Sequence, residues 1–455
     1  MANINTNHIS YVRIALPDYL VSPKKKYIGS LVGYYVENTH YYNIVPNDTH
    51  ELNRKNATMF NIVGYVFSQN PFSNLGDNVQ ERIYYINPKI DTNLSMIERF
   101  NQSRKKSNNC NLTTLSLGED VFRSRMSSIW KEAPEEFWRC FFDSINGYKT
   151  KDNFVVGYWE KDELYIIQLN SLIECKQEVY SLKLDVFSRN TGILESSVML
   201  EKKALFIGCG SVGSLIAVEL AKAGVGYFML VDNDIFGYHN ICRHQCGVYD
   251  VGRYKTDALA DRILQINPYA KVVKYNCIIQ DIDIEELFAF CNEDCIAIGG
   301  ADNREGDLYA NGIAKKANMP FISIGCWERA FAGEIFYCLP QGMPDYEDFL
   351  AAIGYTSGRV TQNRRFYTTE EDLEKVSFEP GISADVNFVT IIGVKIILDL
   401  LNRNTPMYTQ RLLPHLTQYT LICNTNNPII GGEQAEIFKY PLQVTTSIIV
   451  PYKNR

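Results

Sequence analysis

Residues Ala204–Lys255 read ALFIGCGSVGSLIAVELAKAGVGYFMLVDNDIFGYHNICRHQCGVYDVGRYK. The apolar run Ala204–Ile207 predicts a buried strand, and Gly208-Cys209-Gly210-Ser211-Val212-Gly213 follows at once. Apolar residues then recur at helical spacing to Ala223, where Gly224 stops the helix, and a second apolar run, Tyr227–Val231, ends in Asp232. Strand, glycine turn, helix, strand and acid is the order of a nucleotide-binding βαβ unit. Glycines at 208, 210 and 213 let backbone N–H groups approach a phosphate at the positive end of a helix, and Asp232 can accept ribose hydroxyls.

Nicotinamide and flavin enzymes share the glycine pattern, so the discriminating residues are those that follow. Asn240, Arg243 and Lys255 lie within one loop and the next helix start, and Asp302-Asn303 follows the apolar strand Cys295–Gly299. A dinucleotide dehydrogenase has no use for two cations and an amide just past its ribose acid, whereas a triphosphate with magnesium does. The stretches GCGSVG, LVDNDIFGYHNICRH, DVGRYKTDALADRILQINP and ADN, in this order, resemble the adenylation domain of the ThiF/MoeB/HesA and ubiquitin-activating enzyme superfamily.

The resemblance implies a chemistry and assigns residues to it. Adenylation lets a carboxylate attack the α-phosphate of ATP and expels pyrophosphate, a step governed by positioning and charge neutralisation. By this likeness Gly208, Gly210 and Gly213 form the phosphate turn and Asp232 binds ribose. Asn240, Arg243 and Lys255 line the phosphates, Asp302 holds magnesium, and Asn303 belongs to the nucleotide site. Asp234 either joins that site or caps the loop after the strand. His239 and His244 flank the loop as structural residues. Arg189, in FSRNTGILES upstream of the first strand, corresponds to an arginine that reaches the other subunit's site in relatives, which implies a symmetric homodimer. The expected substrate is the C-terminal carboxylate of a ubiquitin-like protein or peptide, for onward transfer, with a downstream conjugating protein, in a bacterial ubiquitin-like pathway. Within the same class stand a peptide-antibiotic activator of the microcin-maturing kind and a small-molecule or tRNA-modifying relative. Outside it stand a non-catalytic nucleotide-binding scaffold and a nicotinamide oxidoreductase.

Composition narrows the field further. A chain of 455 residues is long enough for two or three domains. A net charge of −7 offers no footprint for nucleic acid. The basic clusters Lys24-Lys25-Lys26 and Arg104-Lys105-Lys106 read as solvated loops. No apolar segment follows Met1, and the longest apolar stretch, Val389–Leu401, contains Lys395 and is shorter than the ~20 residues a membrane span needs. Twelve cysteines without regular spacing suit reduced thiols in a cytoplasm.

From Ala204 onward strands and helices alternate, which predicts an α/β domain with a doubly wound, mainly parallel Rossmann-like sheet. The predicted helices are Val212–Ala223, Lys255–Ile266, Ile284–Cys291, Arg304–Ala317 and Ile382–Leu401. The further strands are Val272–Asn276, Cys295–Gly299 and Phe321–Gly325. Tyr337–Glu379 is polar and is expected to be irregular, with a crossover loop at about 340–380 by resemblance to the family, and Tyr419–Val450 is a β-rich tail. The adenylation domain is thus assigned to 185–455. Residues 1–184 form a separate α+β accessory domain with strand candidates Tyr27–Tyr35, Asn61–Phe67, Asn153–Trp159 and Glu163–Leu169. Its helix candidates are Val121–Ile129 and Glu135–Ile145. Partner docking is its expected role. The run Gly64–Pro71 through Asp77 echoes zinc isopeptidases but lacks both histidines, and Cys110 lacks the surroundings of a conjugating cysteine.

Two departures from the family matter. The paired Cys-x-x-Cys motifs of its structural zinc are reduced to a single Cys423, which cannot form a tetrahedral thiolate site, so no zinc is expected. No cysteine lies between Cys338 and Cys423. A thioester therefore has only Cys338, or the strand-associated Cys326, near the crossover. The hydroxyls of Thr356, Ser357, Thr361, Thr368 and Thr369 lack an identified activating base.

Overall fold

The computed structural model describes residues 12–47, 56, 58–70, 154–168, 173–181, 185–300, 304–353 and 380–453. The chain divides into two compact units, Met1–Asp185 and Val186–Arg455.

In the first unit, strands β1 (Arg13–Pro17), β2 (Gly29–Val36), β3 (Tyr41–Ile44), β4 (Asn61–Phe67), β5 (Val155–Glu160), β6 (Glu163–Gln168), β7 (Ile173–Glu174) and β8 (Lys176–Tyr180) form one mixed sheet ordered β7-β6-β5-β4-β2-β3-β1-β8. Residues of alternating burial, among them Ile14, Leu16, Tyr42 and Ile44, build its core with Val66, Val155, Trp159 and Ile166. The indole of Trp159 donates to the Tyr27 carbonyl at 2.8 Å. Three expected strands are present with shifted ends, and β4 has the expected bounds. The helix candidates Val121–Ile129 and Glu135–Ile145, Arg104-Lys105-Lys106, Asp77 and Cys110 lie outside the described residues.

The second unit carries an eight-stranded sheet ordered β11-β10-β9-β12-β13-β14-β15-β16. Its strands are β9 (Lys203–Ile207), β10 (Tyr227–Val231), β11 (Lys271–Tyr275), β12 (Cys295–Gly299), β13 (Phe321–Cys326), β14 (Ala332–Cys338), β15 (Tyr419–Cys423) and β16 (Val444–Ile448). The first five are parallel and the last three antiparallel. The helices are α1 (Ser211–Ala223), α2 (Lys255–Ile266), α3 (Ile284–Phe290), α4 (Arg304–Lys316), α5 (Tyr346–Ile353) and α6 (Ser383–Leu401), with single helical turns at Ser196–Met199 and Pro428–Gly431.

The period-2 alternation of the strands sorts these helices onto two faces. Ala204, Phe206, Phe228, Leu230, Ile296 and Ile298 point toward α1, α2 and α6. Leu205, Ile207, Met229, Val231 and Ala297 point toward α3, α4 and α5. Both faces are covered, which is the doubly wound arrangement. Strand order reverses between β9 and β12, so the loops at their carboxyl ends open a crevice where such sheets bind ligands.

One expectation is corrected here. The described start of the segment expected to be irregular, Tyr337–Glu379, contains the end of β14 and helix α5. Asp345 precedes α5 and accepts from the backbone N–H groups of Glu347 and Asp348, while Tyr346, Phe349 and Leu350 are buried. An acidic cap before apolar residues at positions i, i+3 and i+4 was readable as a helix start. The hydroxyl candidates at Thr356, Ser357, Thr361, Thr368 and Thr369 lie outside the described residues. Helix α6 is buried on the sheet, and no described helix is long and apolar enough to cross a membrane.

Candidate functional site

The glycine turn leaves β9 at Gly208, whose φ of 96° suits a residue without a side chain. The Gly208 N–H donates to Val231 O at 2.9 Å, and the Gly300 N–H donates to Ile207 O at 3.0 Å, so the three central strand ends are tied together. Gly213, in the first turn of α1, has no room for a Cβ, which would stand 2.1 Å from the Gly208 carbonyl oxygen. That close approach brings the amino end of α1 down onto the turn.

Asp232, at the end of β10, holds the turn from the other side. Its carboxylate accepts from the Cys209 N–H at 2.7 Å and from the Asp234 N–H at 2.8 Å. Burial nonetheless pushes its pKa above the usual aspartate value, opposed by those two bonds and by Lys255. Lys255 opens α2, is 9% exposed, and donates from Nζ to Asp234 Oδ2 at 2.6 Å. Its backbone N–H also donates to Asp234 O.

These groups surround a cavity of about 400 Å³. Its walls are the glycine turn (Gly208, Gly210), the end of β10 (Asp232, Asn233, Asp234), Lys255, the turn Cys277–Gln280, and Gly300 with Gly306. Backbone N–H groups, a half-sequestered carboxylate and one buried cation suit a polyanionic ligand with a sugar.

The sequence-assigned residues therefore fall into five groups. Gly208, Gly210, Asp232, Asp234 and Lys255 share the cavity. Gly213 supports the turn from behind. Asn240 and Arg243 sit on the adjoining loop: the Asn240 side-chain oxygen accepts from the Gly237 N–H at 2.8 Å. The Arg243 guanidinium stands beside Gly381, with Nη1 3.8 Å from where a Cβ on that glycine would lie. Asp302 and Asn303 lie outside the described residues, between the cavity-lining Gly300 and the helix start at Arg304. Arg189 is exposed in the turn Ser188–Asn190, and neighbouring Asn190 donates to Lys222 O at the carboxyl end of α1. The residues from Ser211 to Lys222 rise roughly 16 Å, so Arg189 lies at the far end of α1 from its own glycine turn.

The sequence reading gave no part to the turn Cys277–Gln280, which forms a cavity wall. The signal lay in topology: this turn follows β11, whose carboxyl end faces the same crevice as β9 and β10.

The loop Asp232–Lys255 is internally braced. Phe236 exchanges backbone bonds with Arg253 and Gly252, and Arg253 pairs with Asp250 at 2.8 Å and Asp261 at 2.7 Å. His244 and Cys246 are buried within it, whereas Cys242 is exposed.

The thiols differ sharply in access. Cys338 is buried, its Sγ lies 3.3 Å from Asn311 Oδ1, and burial pushes its pKa up to about 12. Such a thiol is almost wholly protonated near neutral pH. Cys326, at the end of β13, is half-buried. Cys423 is enclosed by Trp327, Phe331 and Phe438. Among the described residues no group of three or more His, Cys, Asp or Glu side chains is placed to hold a metal. Incubation with a carboxyl substrate and Mg·ATP should therefore leave no thiol-sensitive adduct on Cys338. A gel band lost on thiol treatment and absent from Cys338→Ala would contradict this.

The second unit is similar in sequence to known proteins. The ThiF family profile matches residues 185–429. Sulfur carrier protein ThiS adenylyltransferase of Bacillus subtilis is 28% identical over 126 residues, covering 28% of this chain and 38% of that protein. Ubiquitin-like modifier-activating enzyme 5 of Bombyx mori is 28% identical over 148 residues, covering 31% of this chain and 38% of that protein. The chain thus spans about two fifths of the length of these relatives. The solved structure of E. coli MccB with ATP is 18% identical and has a TM-score of 0.43, covering 70% of this chain and 80% of that one. With the profile spanning more than half of its length, the chain belongs to the ThiF family.

Proposed function

We propose that this protein uses ATP to adenylate the C-terminal carboxylate of a ubiquitin-like protein or peptide, releasing pyrophosphate. The observation that carries the reading is the buried Lys255 facing the glycine turn and Asp232 across one cavity at the switch point of the sheet. A nicotinamide site needs no buried cation at that place. The named activities of the two curated relatives, on a sulfur carrier protein and a ubiquitin-like modifier, support a protein substrate.

In this reading the turn N–H groups and Lys255 cradle the phosphates and Asp232 receives the ribose. Arg243 and Asn240 approach the phosphates from the adjoining loop. A carboxylate oxygen of the substrate attacks the α-phosphorus, the bond to the bridging oxygen breaks, and that electron pair leaves with pyrophosphate. Lys255 and Arg243 neutralise the charge that gathers on the leaving group, while the carboxylate is consumed in a mixed anhydride with AMP. Magnesium fits the donor set, because it prefers oxygen ligands and commonly takes only one or two from protein. Asp232 already accepts two backbone N–H groups and Asp234 is held by Lys255, so Asp302 is the carboxylate assigned to it. Bound there, the ion would neutralise phosphate charge. A partner's nucleophile then attacks the acyl carbon, the bond to the adenylate oxygen breaks and AMP leaves, and Cys338 takes no part.

ATP–pyrophosphate exchange tests the proposal. A peptide ending in a free carboxylate from the cognate substrate should drive exchange, and the same peptide as a C-terminal amide should not. Exchange equal with both would refute it. The second part of the proposal is a homodimer in which Arg189 acts across the interface. Its place at the far end of α1 supports action outside its own site. Mixed dimers of Arg189→Ala with Asp302→Ala chains should regain one working site in two, whereas each homodimer should be inactive. Failure of complementation would return Arg189 to an ordinary surface arginine.

A further inference from the structure

His244 links the loop that carries Asn240 and Arg243 to the glycine turn, and the sequence reading gave it only a structural part. Its ring is 8% exposed and packs edge-on against Phe236, with centroids 4.9 Å apart. Nε2 lies 2.7 Å from the Cys209 carbonyl oxygen, and Nδ1 lies 3.0 Å from the Cys246 backbone nitrogen. A carbonyl only accepts and a backbone N–H only donates, so Nε2 carries the proton and Nδ1 offers its lone pair. This is the neutral imidazole in one fixed tautomer. Burial lowers its pKa to about 4, with the Cys209 carbonyl opposing and the Lys255 charge adding to the depression.

The bond to Cys209 falls at the centre of the glycine turn. Cys209 donates its own N–H to the Asp232 carboxylate at 2.7 Å and accepts from His244 through its carbonyl. The chain of bonds therefore runs Cys246 N–H to His244, His244 to Cys209 C=O, and Cys209 N–H to Asp232. A second tie runs beside it, from Gln245 N–H to the Ser214 hydroxyl at 3.4 Å in α1. Arg243 precedes His244 directly, and the Asn240 carbonyl accepts the N–H groups of both. Fixing the ring on the turn thus fixes the register between the phosphate-gripping loop and the glycine N–H groups.

We infer that His244 is a positioning residue for the nucleotide: its neutral ring clamps the Asn240–Arg243 loop onto the glycine turn so that both grip the same triphosphate. The inference rests on the adenylation reading for the identity of the ligand. It predicts that removing the clamp weakens ATP binding more than it weakens the fold, because the loop keeps its own braces at Phe236, Gly252 and Arg253.

The test is calorimetric titration of the full-length protein with ATP and magnesium chloride at 25 °C, alongside thermal unfolding without nucleotide. His244→Phe keeps the ring volume and loses both polar contacts. Its Kd for ATP should rise about tenfold to a hundredfold, the range for losing a buried hydrogen bond that orders a site. His244→Gln can return an amide N–H to Cys209 and should bind within about threefold of wild type, on the same tenfold scale. A purely structural role would lower the unfolding temperature in both variants and leave Kd unchanged in the folded protein. Should His244→Phe fail to fold, His244→Asn serves instead: it keeps an acceptor for Cys246 and loses the reach to Cys209. Wild-type affinity in a folded Phe or Asn variant, or no better binding by Gln than by these, overturns the clamp. A wild-type protein that does not bind ATP overturns the adenylation reading instead, so the two failures are distinct.

Discussion

Asp302→Ala should abolish carboxylate-driven pyrophosphate exchange in a protein that still folds. In the proposed reaction this carboxylate is the protein's ligand to magnesium, and neither carboxylate described at the cavity is available to replace it. Asp232 is committed to the Cys209 and Asp234 N–H groups. Asp234 is committed to Lys255. The fold should survive because its core is built elsewhere: the strand preceding Asp302, β12, is buried along its whole length by both helical layers. Exchange assays on the variant, with its circular dichroism and unfolding temperature as controls, would test this. Exchange at the wild-type rate would remove Asp302 from the chemistry.

Lys255→Ala should slow exchange by about 10²–10³-fold, the scale of removing one preorganised electrostatic donor from a transition state. Its cost to stability should be far smaller, near 1 kcal/mol or less, because an ion pair with one exposed partner contributes little. The asymmetry of the pair explains why. The Lys255 side chain is 11% exposed, while that of Asp234 is 62% exposed. Losing the lysine leaves a carboxylate that water can hydrate. Losing Asp234 instead leaves a cation that is mostly buried, so Asp234→Ala should be the more destabilising change of the two. Steady-state rates and unfolding temperatures of both variants separate the effects. A Lys255→Ala protein with normal exchange would contradict the placement of the phosphates.

Much of the second unit was legible because each element there has one local cause. Cys295–Gly299 and Tyr227–Val231 are continuous apolar runs, as strands covered on both faces must be, and the structure gives them those bounds. Lys255–Ile266 was equally plain, opened by a loop and stopped by Asn267-Pro268. Helix α5 was hidden because it is short and its polar flanks dominate the local composition. Strands β1, β3 and β8 of the first unit escaped because they are short and owe their order to parallel pairing with distant partners, Arg13 with both Tyr41 and Lys176. Nothing in a local window encodes such pairings.

In the candidate site, the glycines, Asp232 and Lys255 could be read because their chemistry is tied to spacing. His244 could not. Its part depends on Cys209, thirty-five positions away in sequence and 2.7 Å away in the fold. The cavity wall at Cys277–Gln280 depends likewise on β11 lying beside β10.

Adenylation breaks the bond between the α- and β-phosphates of ATP, whereas phosphoryl transfer and hydrolysis to ADP break that between β and γ, so the nucleotide products test the central claim most directly. With a carboxyl-terminal peptide substrate, Mg·ATP and a nucleophile to discharge the adenylate, chromatography and phosphorus resonance should find AMP and pyrophosphate in equal amounts, with no ADP. ADP and inorganic phosphate as the products would contradict the account.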